Sequence, residues 1–169
     1  YDCYILSDEI YIGSELDGVE TLSFLGLYDK AIVASGLAKS LSHPGLRIGW
    51  LAGPREVIDR CWHHHDYTSI STGIISQYVA NVILQPQKRQ EVLERGRRLL
   101  RDNVPVVQDW VDAHGGNFHL VPPRAGGMAF VRYNLDINSS ELVTRLREEK
   151  SVLVVAGDWF GMDHYLRLG

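Results

Sequence analysis

Three short apolar runs, each closed by turn residues or charges, constrain this chain most. Residues 3–6 run into Ser7-Asp8, residues 31–34 into Ser35-Gly36, and residues 48–52 into Gly53-Pro54. Each run is too short for a helix and apolar at successive positions. The pattern predicts strands buried on both faces, with polar residues at their ends. Such strands suit an α/β sheet, whose ligands gather at strand termini. The 169 residues suit about one domain, and 45% hydrophobic residues exclude wholesale disorder.

The middle of the chain reads as helical. Pro54 fits the start of a helix through about His64. Ser71 or Thr72 can cap a second helix, whose apolar positions are Ile74, Ile75, Tyr78, Val79, Val82 and Ile83. Residues 87–114 form a long amphipathic stretch, stopped by Gly115-Gly116. Within it, Arg95, Arg97, Arg98 and Arg101 are expected to solvate the helix and pair with Glu91, Glu94 and Asp102. The final third has an α+β texture. Strands are expected over residues 118–121, 128–133, 152–155 and 165–168, with a helix begun by Asn138 and Glu141.

Charge and cysteine content exclude several function classes. Seventeen Lys+Arg against 21 Asp+Glu leave no basic footprint for nucleic acid. No apolar run reaches the ~18 residues of a membrane span. Cys3 and Cys61 make no disulfide scaffold, so a cytoplasmic setting is expected, with both thiols packing. His63-His64-His65 is no metal site, because successive helical residues point about 100° apart, so a solvated helix end is expected and no metal. Both ends of the chain read as strands cut through, as in a piece of a longer protein.

The candidate chemistry lies at the strand ends. An acidic pair and a tyrosine follow the first run: Ser7-Asp8-Glu9-Ile10-Tyr11. A lysine follows the second in a small-residue loop: Ser35-Gly36-Leu37-Ala38-Lys39-Ser40. An arginine stands between glycines before the third: Gly45-Leu46-Arg47-Ile48-Gly49. A phosphate loop does not explain them, because that motif needs glycine where Ala38 and Val33 stand. No G-x-G-x-x-G follows any strand. Asp8, Tyr11, Lys39 and Arg47 do match what pyridoxal phosphate requires: an amine for a Schiff base, an acid for the pyridine nitrogen and an anchor for the phosphate.

In this order and spacing the three motifs resemble the class I/II aminotransferases of the fold-type I pyridoxal phosphate family. The resemblance spans the whole chain but only the second, C-terminal half of such an enzyme. It implies an α/β fold: part of the cofactor-binding large domain at residues 1–86, an inter-domain helix at 87–104, and a truncated α+β small domain at 105–169. It implies pyridoxal 5'-phosphate as cofactor, amino acids and 2-oxo acids as substrates, and a homodimer. No nucleic acid or membrane partner is implied.

The roles implied are specific. Lys39 resembles the Schiff-base lysine, which also moves protons at the substrate Cα. Asp8 resembles the partner of the pyridine nitrogen, and Tyr11 the donor to the ring 3-oxygen. Arg47 resembles a phosphate anchor whose paired N–H groups a lysine would not reproduce. Arg167, in Tyr165-Leu166-Arg167-Leu168, resembles the arginine that forks onto the substrate carboxylate. The alternative for Arg167 is an internal salt bridge.

The chain also departs from the family. Gly36 and Ala38 stand where many relatives carry hydroxyl residues. The ring-stacking aromatic, an asparagine and the glycine-rich phosphate turn belong upstream of Asp8, so the stretch alone is expected to be inactive. Residues 65–71 are expected to pack as an ordinary loop, although a role lining the site of a neighbouring subunit is compatible with them. Trp159, Phe160 and Met162 suit a pocket wall and simple packing equally. The main expectation is transfer of an amino group. The alternatives are a lyase or cyclase acting on a β-substituted or arginine-like amino acid, and a non-catalytic module.

Overall fold

The computed structural model describes residues 2–169. Its elements divide into two units, one ending at Arg98 and the other spanning Leu99–Gly169.

The first unit opens with a three-stranded sheet. Strand β1 (Ile5–Asp8) pairs in parallel with β2 (Ala31–Gly36), and β2 pairs antiparallel with β3 (Gly49–Ala52). The expected burial on both faces holds only for β2, which lies between the other two. Leu6 of β1 is 71% exposed, and Trp50 and Leu51 of β3 are also exposed. They stand on edge strands, so nothing in this unit covers their outer sides.

Helices α1 (Arg55–Thr68) and α2 (Ile74–Ile83) follow. Helix α1 runs one turn past the expected end at His64. Helix α2 begins at Gly73 without a side-chain cap, so neither Ser71 nor Thr72 plays that part. Only the Val79, Ala80 and Ile83 side of α2 packs; Ile74, Ile75, Tyr78 and Val82 are exposed. Helix α3 (Pro86–Asp112) begins in this unit and ends in the other.

The core of the first unit forms under the loop that follows β2. Leu37, Leu41, Ala80, Ile83 and Leu93 are buried together, flanked by Leu46, Ile48, Val79 and Val92. Burying side chains of this size contributes roughly 1.5–3 kcal/mol each. Leu37 and Leu41 point inward, while Lys39 between them is exposed. Two apolar anchors therefore present one amine at the crest of the loop.

The arginine cluster departs from expectation. Arg95, Arg98 and Arg101 are exposed, but Arg97 is only 2% exposed. Its guanidinium lies 3.6 Å from Glu20 and 3.7 Å from Glu94, and its Nε and Nη2 are buried without a hydrogen-bond partner. Arg89, about two turns earlier on α3, makes the close contact: its Nη1 and Nη2 donate to the two Glu20 oxygens at 2.9 and 2.8 Å. Glu91 pairs with Lys88.

The second unit is a four-stranded antiparallel sheet in the order β4 (Phe118–Leu120), β5 (Ala129–Tyr133), β7 (Tyr165–Leu168), β6 (Val155–Ala156). Helix α4 (Ser139–Lys150) covers one face. Asn138 caps it as expected, its side chain accepting from the N–H groups of Ser140 and Glu141. Tyr133, Val143, Ala156 and Leu166 form the core. Strand β6 is shorter and later than the expected 152–155, and residues 151–154 form no strand.

Candidate active site

Strands β1 and β2 run in the same direction, so their C-terminal ends lie at one edge of the sheet. Strand β3 runs against them, which brings its N-terminal end to the same edge. Asp8 closes β1, Lys39 lies three residues beyond β2, and Arg47 lies two residues before β3. The topology therefore gathers the segments carrying Asp8, Tyr11, Lys39 and Arg47 at one end of one sheet.

Backbone contacts fasten these segments together. Asp8 is exposed, and its Oδ1 accepts from Ile10 N–H at 3.1 Å. That bond starts the turn carrying Tyr11, whose ring is also exposed. The N–H of Glu9 donates to Ala34 O at 2.8 Å, and Ser35 Oγ donates to Glu9 O at 3.4 Å. Ser40 N–H donates to Ile10 O, and Leu37 N–H to Ile48 O. The lysine loop is thus tied on one side to the Tyr11 turn and on the other to the residues after Arg47.

Gly36 explains one departure from the family pattern. It pairs with Gly49 across β2 and β3. A Cβ at Gly36 would stand 2.8 Å from Ile48 O and 3.0 Å from Gly49 Cα. The close approach that draws the Arg47 segment to the lysine loop leaves no room there for a side chain.

Arg47 takes a left-handed backbone, with φ of 54°, after the 3-10 turn Pro44–Leu46. Its Nη1 donates to Pro44 O at 3.0 Å. Arg47 caps that turn, and a non-glycine residue in this region carries a local backbone cost. Among the described residues none accepts a hydrogen bond from Lys39 Nζ, and Asp8 Oδ2 has no hydrogen-bond partner.

Three carboxylates support the segment around the Tyr11 turn; Glu9 belongs to the acidic motif, while Glu15 and Glu20 lie outside any motif. Glu9 is buried, and its carboxylate accepts from Phe24 N–H and Ser7 Oγ. Glu15 accepts from Gly13 N–H at 2.8 Å and Thr21 N–H at 2.9 Å. Burial pushes the Glu15 carboxyl up, but the N–H groups of Thr21 and Gly13 outweigh it and hold it below its ordinary range. Glu20 is held low as well, first by the paired N–H groups of Arg89. Gly13, at φ of 96°, seats the turn directly on Leu93.

In the second unit, Arg167 of β7 lies opposite Phe130 and Val155. The salt-bridge alternative for Arg167 is not what the structure contains: among the described residues no carboxylate pairs with it. Its guanidinium instead lies over the Phe160 ring, 5.3 Å from the centroid. Trp159, Phe160 and Met162, which suited a pocket wall and packing equally, are all exposed. Among the described residues no group of His, Cys, Asp and Glu is placed to hold a metal ion.

Comparison with known proteins adds to this geometry. The family model described as aminotransferase class I and II matches residues 1–169. An aromatic-amino-acid aminotransferase 2 of Thermococcus litoralis is 27% identical over 99% of this chain and 44% of its own length. A capreomycidine synthase of Streptomyces vinaceus is 28% identical over 83% of this chain and 36% of its own length. The crystal structure of a PLP-dependent aminotransferase from Streptococcus suis superimposes with a TM-score of 0.89 at 34% identity, covering 99% of this chain and 43% of that one. The chain spans less than half the length of these relatives.

Proposed function

Because this chain belongs to the class I and II aminotransferases, we propose that it carries the lysine, the ring-nitrogen partner and the substrate arginine of a pyridoxal 5'-phosphate-dependent aminotransferase. The substrates are an amino acid and a 2-oxo acid. In this reading residues 1–86 belong to the cofactor-binding large domain, 87–104 to the inter-domain helix and 105–169 to the small domain.

The donor set fits the cofactor. An amine and a carboxylate oxygen that have no hydrogen-bond partner among the described residues, a phenol and a guanidinium belong to segments that share one end of the sheet. When bound, pyridoxal phosphate supplies an aldehyde to hold the substrate nitrogen and a ring that withdraws electrons. Lys39 Nζ would hold the cofactor and would carry the proton to and from the substrate Cα. Asp8 would pair with the protonated ring nitrogen, and Tyr11 with the ring 3-oxygen. Arg47 would anchor the phosphate, and Arg167 would bind the substrate carboxylate.

The single observation that carries the reading is the placement of Lys39. It crests a loop anchored by buried Leu37 and Leu41, and the next residue is bonded to the turn between Asp8 and Tyr11. A homodimer accords with the exposed Trp62, Tyr67, Ile70, Ile75 and Tyr78 on α1, α2 and the stretch between them, apolar side chains of the kind subunit interfaces bury. A cytoplasmic setting accords with two free cysteines. Among the described residues no helix is long and apolar enough to cross a membrane.

A second reading is favoured by the likeness to a relative named a synthase. The same lysine takes the Cα proton, and the substrate then eliminates a group or closes a ring instead of passing its nitrogen on. The deciding experiment follows full-length protein with amino acid, cofactor and a 2-oxo acid acceptor. Transfer of nitrogen to the acceptor supports the first reading; cofactor-dependent elimination or cyclisation supports the second. Borohydride should fix the cofactor to Lys39, and Lys39→Ala should slow turnover by about 10²–10⁴-fold or more. Cofactor fixed to a different residue would overturn both.

A further inference from the structure

Phe160, which lies beneath Arg167, is not on a strand. It closes the 3-10 turn Asp158–Phe160 between β6 and β7 and is half exposed. Its ring meets Phe130 edge-on at 6.3 Å. Phe130 in turn stacks on Tyr165, with centroids 4.8 Å apart and planes 16° from parallel. A three-residue turn has little of its own to hold a ring at a fixed height.

Both ends of the connection are fastened to the start of α4. The Asp158 carboxylate accepts from Ser140 Oγ at 2.8 and 2.6 Å, and Asp158 N–H donates to Ser139 Oγ at 3.0 Å. Asp163 accepts from Ser139 N–H at 2.7 Å, from Asn138 Nδ2 at 2.9 Å and from His164 N–H at 2.7 Å. Carboxylates are favoured at a helix N-terminus, where unpaired N–H groups and the helix dipole meet them. Between these anchors the chain folds tightly. Gly157 N–H donates to Tyr165 O at 2.8 Å, and a Cβ at Gly157 would stand 2.2 Å from Met162 O.

The geometry points to Ser140 and Asp158 as positioning residues for Arg167. They hold the turn, the turn sets the Phe160 ring, and the ring sets the plane in which the guanidinium waits for a carboxylate. This inference rests on the proposed role of Arg167. Helix α4 keeps its Asn138 cap and its Asp163 partner when Ser140 is changed, so the turn can be loosened without unfolding the helix.

The test uses full-length enzyme and four variants: Ser140→Ala, Ser140→Thr, Phe160→Leu and Arg167→Lys. Ser140→Ala and Phe160→Leu should each raise KM for the amino acid and for the 2-oxo acid by roughly three- to tenfold. Their kcat should change by less than about twofold, because interactions made equally in ground and transition states act on KM. Ser140→Thr keeps the hydroxyl and should restore KM. Inhibition by 3-phenylpropanoate, a carboxylate without an amine, should weaken in parallel. If Arg167→Lys raises KM while Ser140→Ala and Phe160→Leu do not, the positioning role falls alone. If Arg167→Lys leaves KM unchanged, the carboxylate role of Arg167 falls and the inference with it.

Discussion

The backbone N–H of Ser40 donates to the carbonyl of Ile10, joining the loop that carries Lys39 to the turn between Asp8 and Tyr11. The two segments are thirty residues apart in sequence. Their junction fastens the amine-bearing loop to the acid-bearing turn through backbone alone, and fixing two segments in this way lowers the cost of assembling a site.

On the proposed function Asp8 has two roles, a turn bond and a charge beside the cofactor, that one substitution separates. Its Oδ1 starts the turn by accepting from Ile10 N–H, while Oδ2 has no hydrogen-bond partner among the described residues. Asp8→Asn retains an oxygen for Ile10 and removes the charge. Stability should therefore stay within about 0.5 kcal/mol, while turnover falls by about 10²–10³-fold. Urea unfolding and steady-state kinetics on the same preparation check both. A variant with full turnover would remove Asp8 from the site.

Arg47→Gly should uncouple stability from cofactor affinity. Glycine relieves the left-handed strain at φ of 54° but adds freedom to the unfolded chain. These effects, each about 1 kcal/mol, oppose one another. Loss of the guanidinium should weaken cofactor binding more than about tenfold. Arg47→Lys keeps both the charge and the strain, and should bind cofactor less well than wild type because it lacks the fork. Absorbance titration with cofactor reads both variants; unchanged affinity in Arg47→Gly would overturn the phosphate role.

Gly36→Ala should destabilise the protein by about 1–3 kcal/mol, since the added methyl meets backbone atoms rather than a flexible side chain. The strain falls between the lysine loop and the Arg47 segment, so cofactor affinity should drop with it. Gly45→Ala is the control: a Cβ there meets nothing within 4 Å, and its cost should stay within about 0.5 kcal/mol. Equal effects at the two positions would mean that the close approach at Gly36 is not what matters.

The Glu20–Arg89 pair predicts an acid-dependent stability. Arg89 holds the folded carboxyl below its ordinary value of 4.5. In the window just below pH 4.5 the unfolded chain binds more protons, so stability rises with pH there. The contribution is fully present above pH 4.5 and is lost as pH falls through the lowered folded value. Glu20→Gln should be less stable than wild type by roughly 1 kcal/mol at pH 7, and the gap should close in acid. Urea midpoints from pH 6 to 3 measure it; a gap independent of pH would mean that the pair contributes through packing instead.

Much of the placement of the candidate site was legible locally. Asp8, Tyr11, Lys39 and Arg47 stand at the strand ends where the motifs located them, and Asn138 caps α4 as its neighbours suggested. The supporting groups were less legible. Nothing in the local pattern sets Glu15 or Glu20 apart, and Arg97 read as one of four solvated arginines. Glu20 and Arg97 take their roles from partners brought by folding, and the Glu20–Arg89 bond closes 69 positions. Strands β1 and β3 read as buried because apolar composition does not distinguish a central strand from an edge.

The amino-acid order by itself determined which chemical groups follow which strand, because strand ends, caps and the alternation of Leu37, Lys39 and Leu41 are properties of neighbours along the chain. Only the tertiary structure decided that Arg167 meets an aromatic ring rather than a carboxylate, that Arg97 is buried, and that Gly36 has no room for a side chain. Those outcomes depend on contacts between distant segments, whose geometry is set by the packing of whole elements and not by any local spacing.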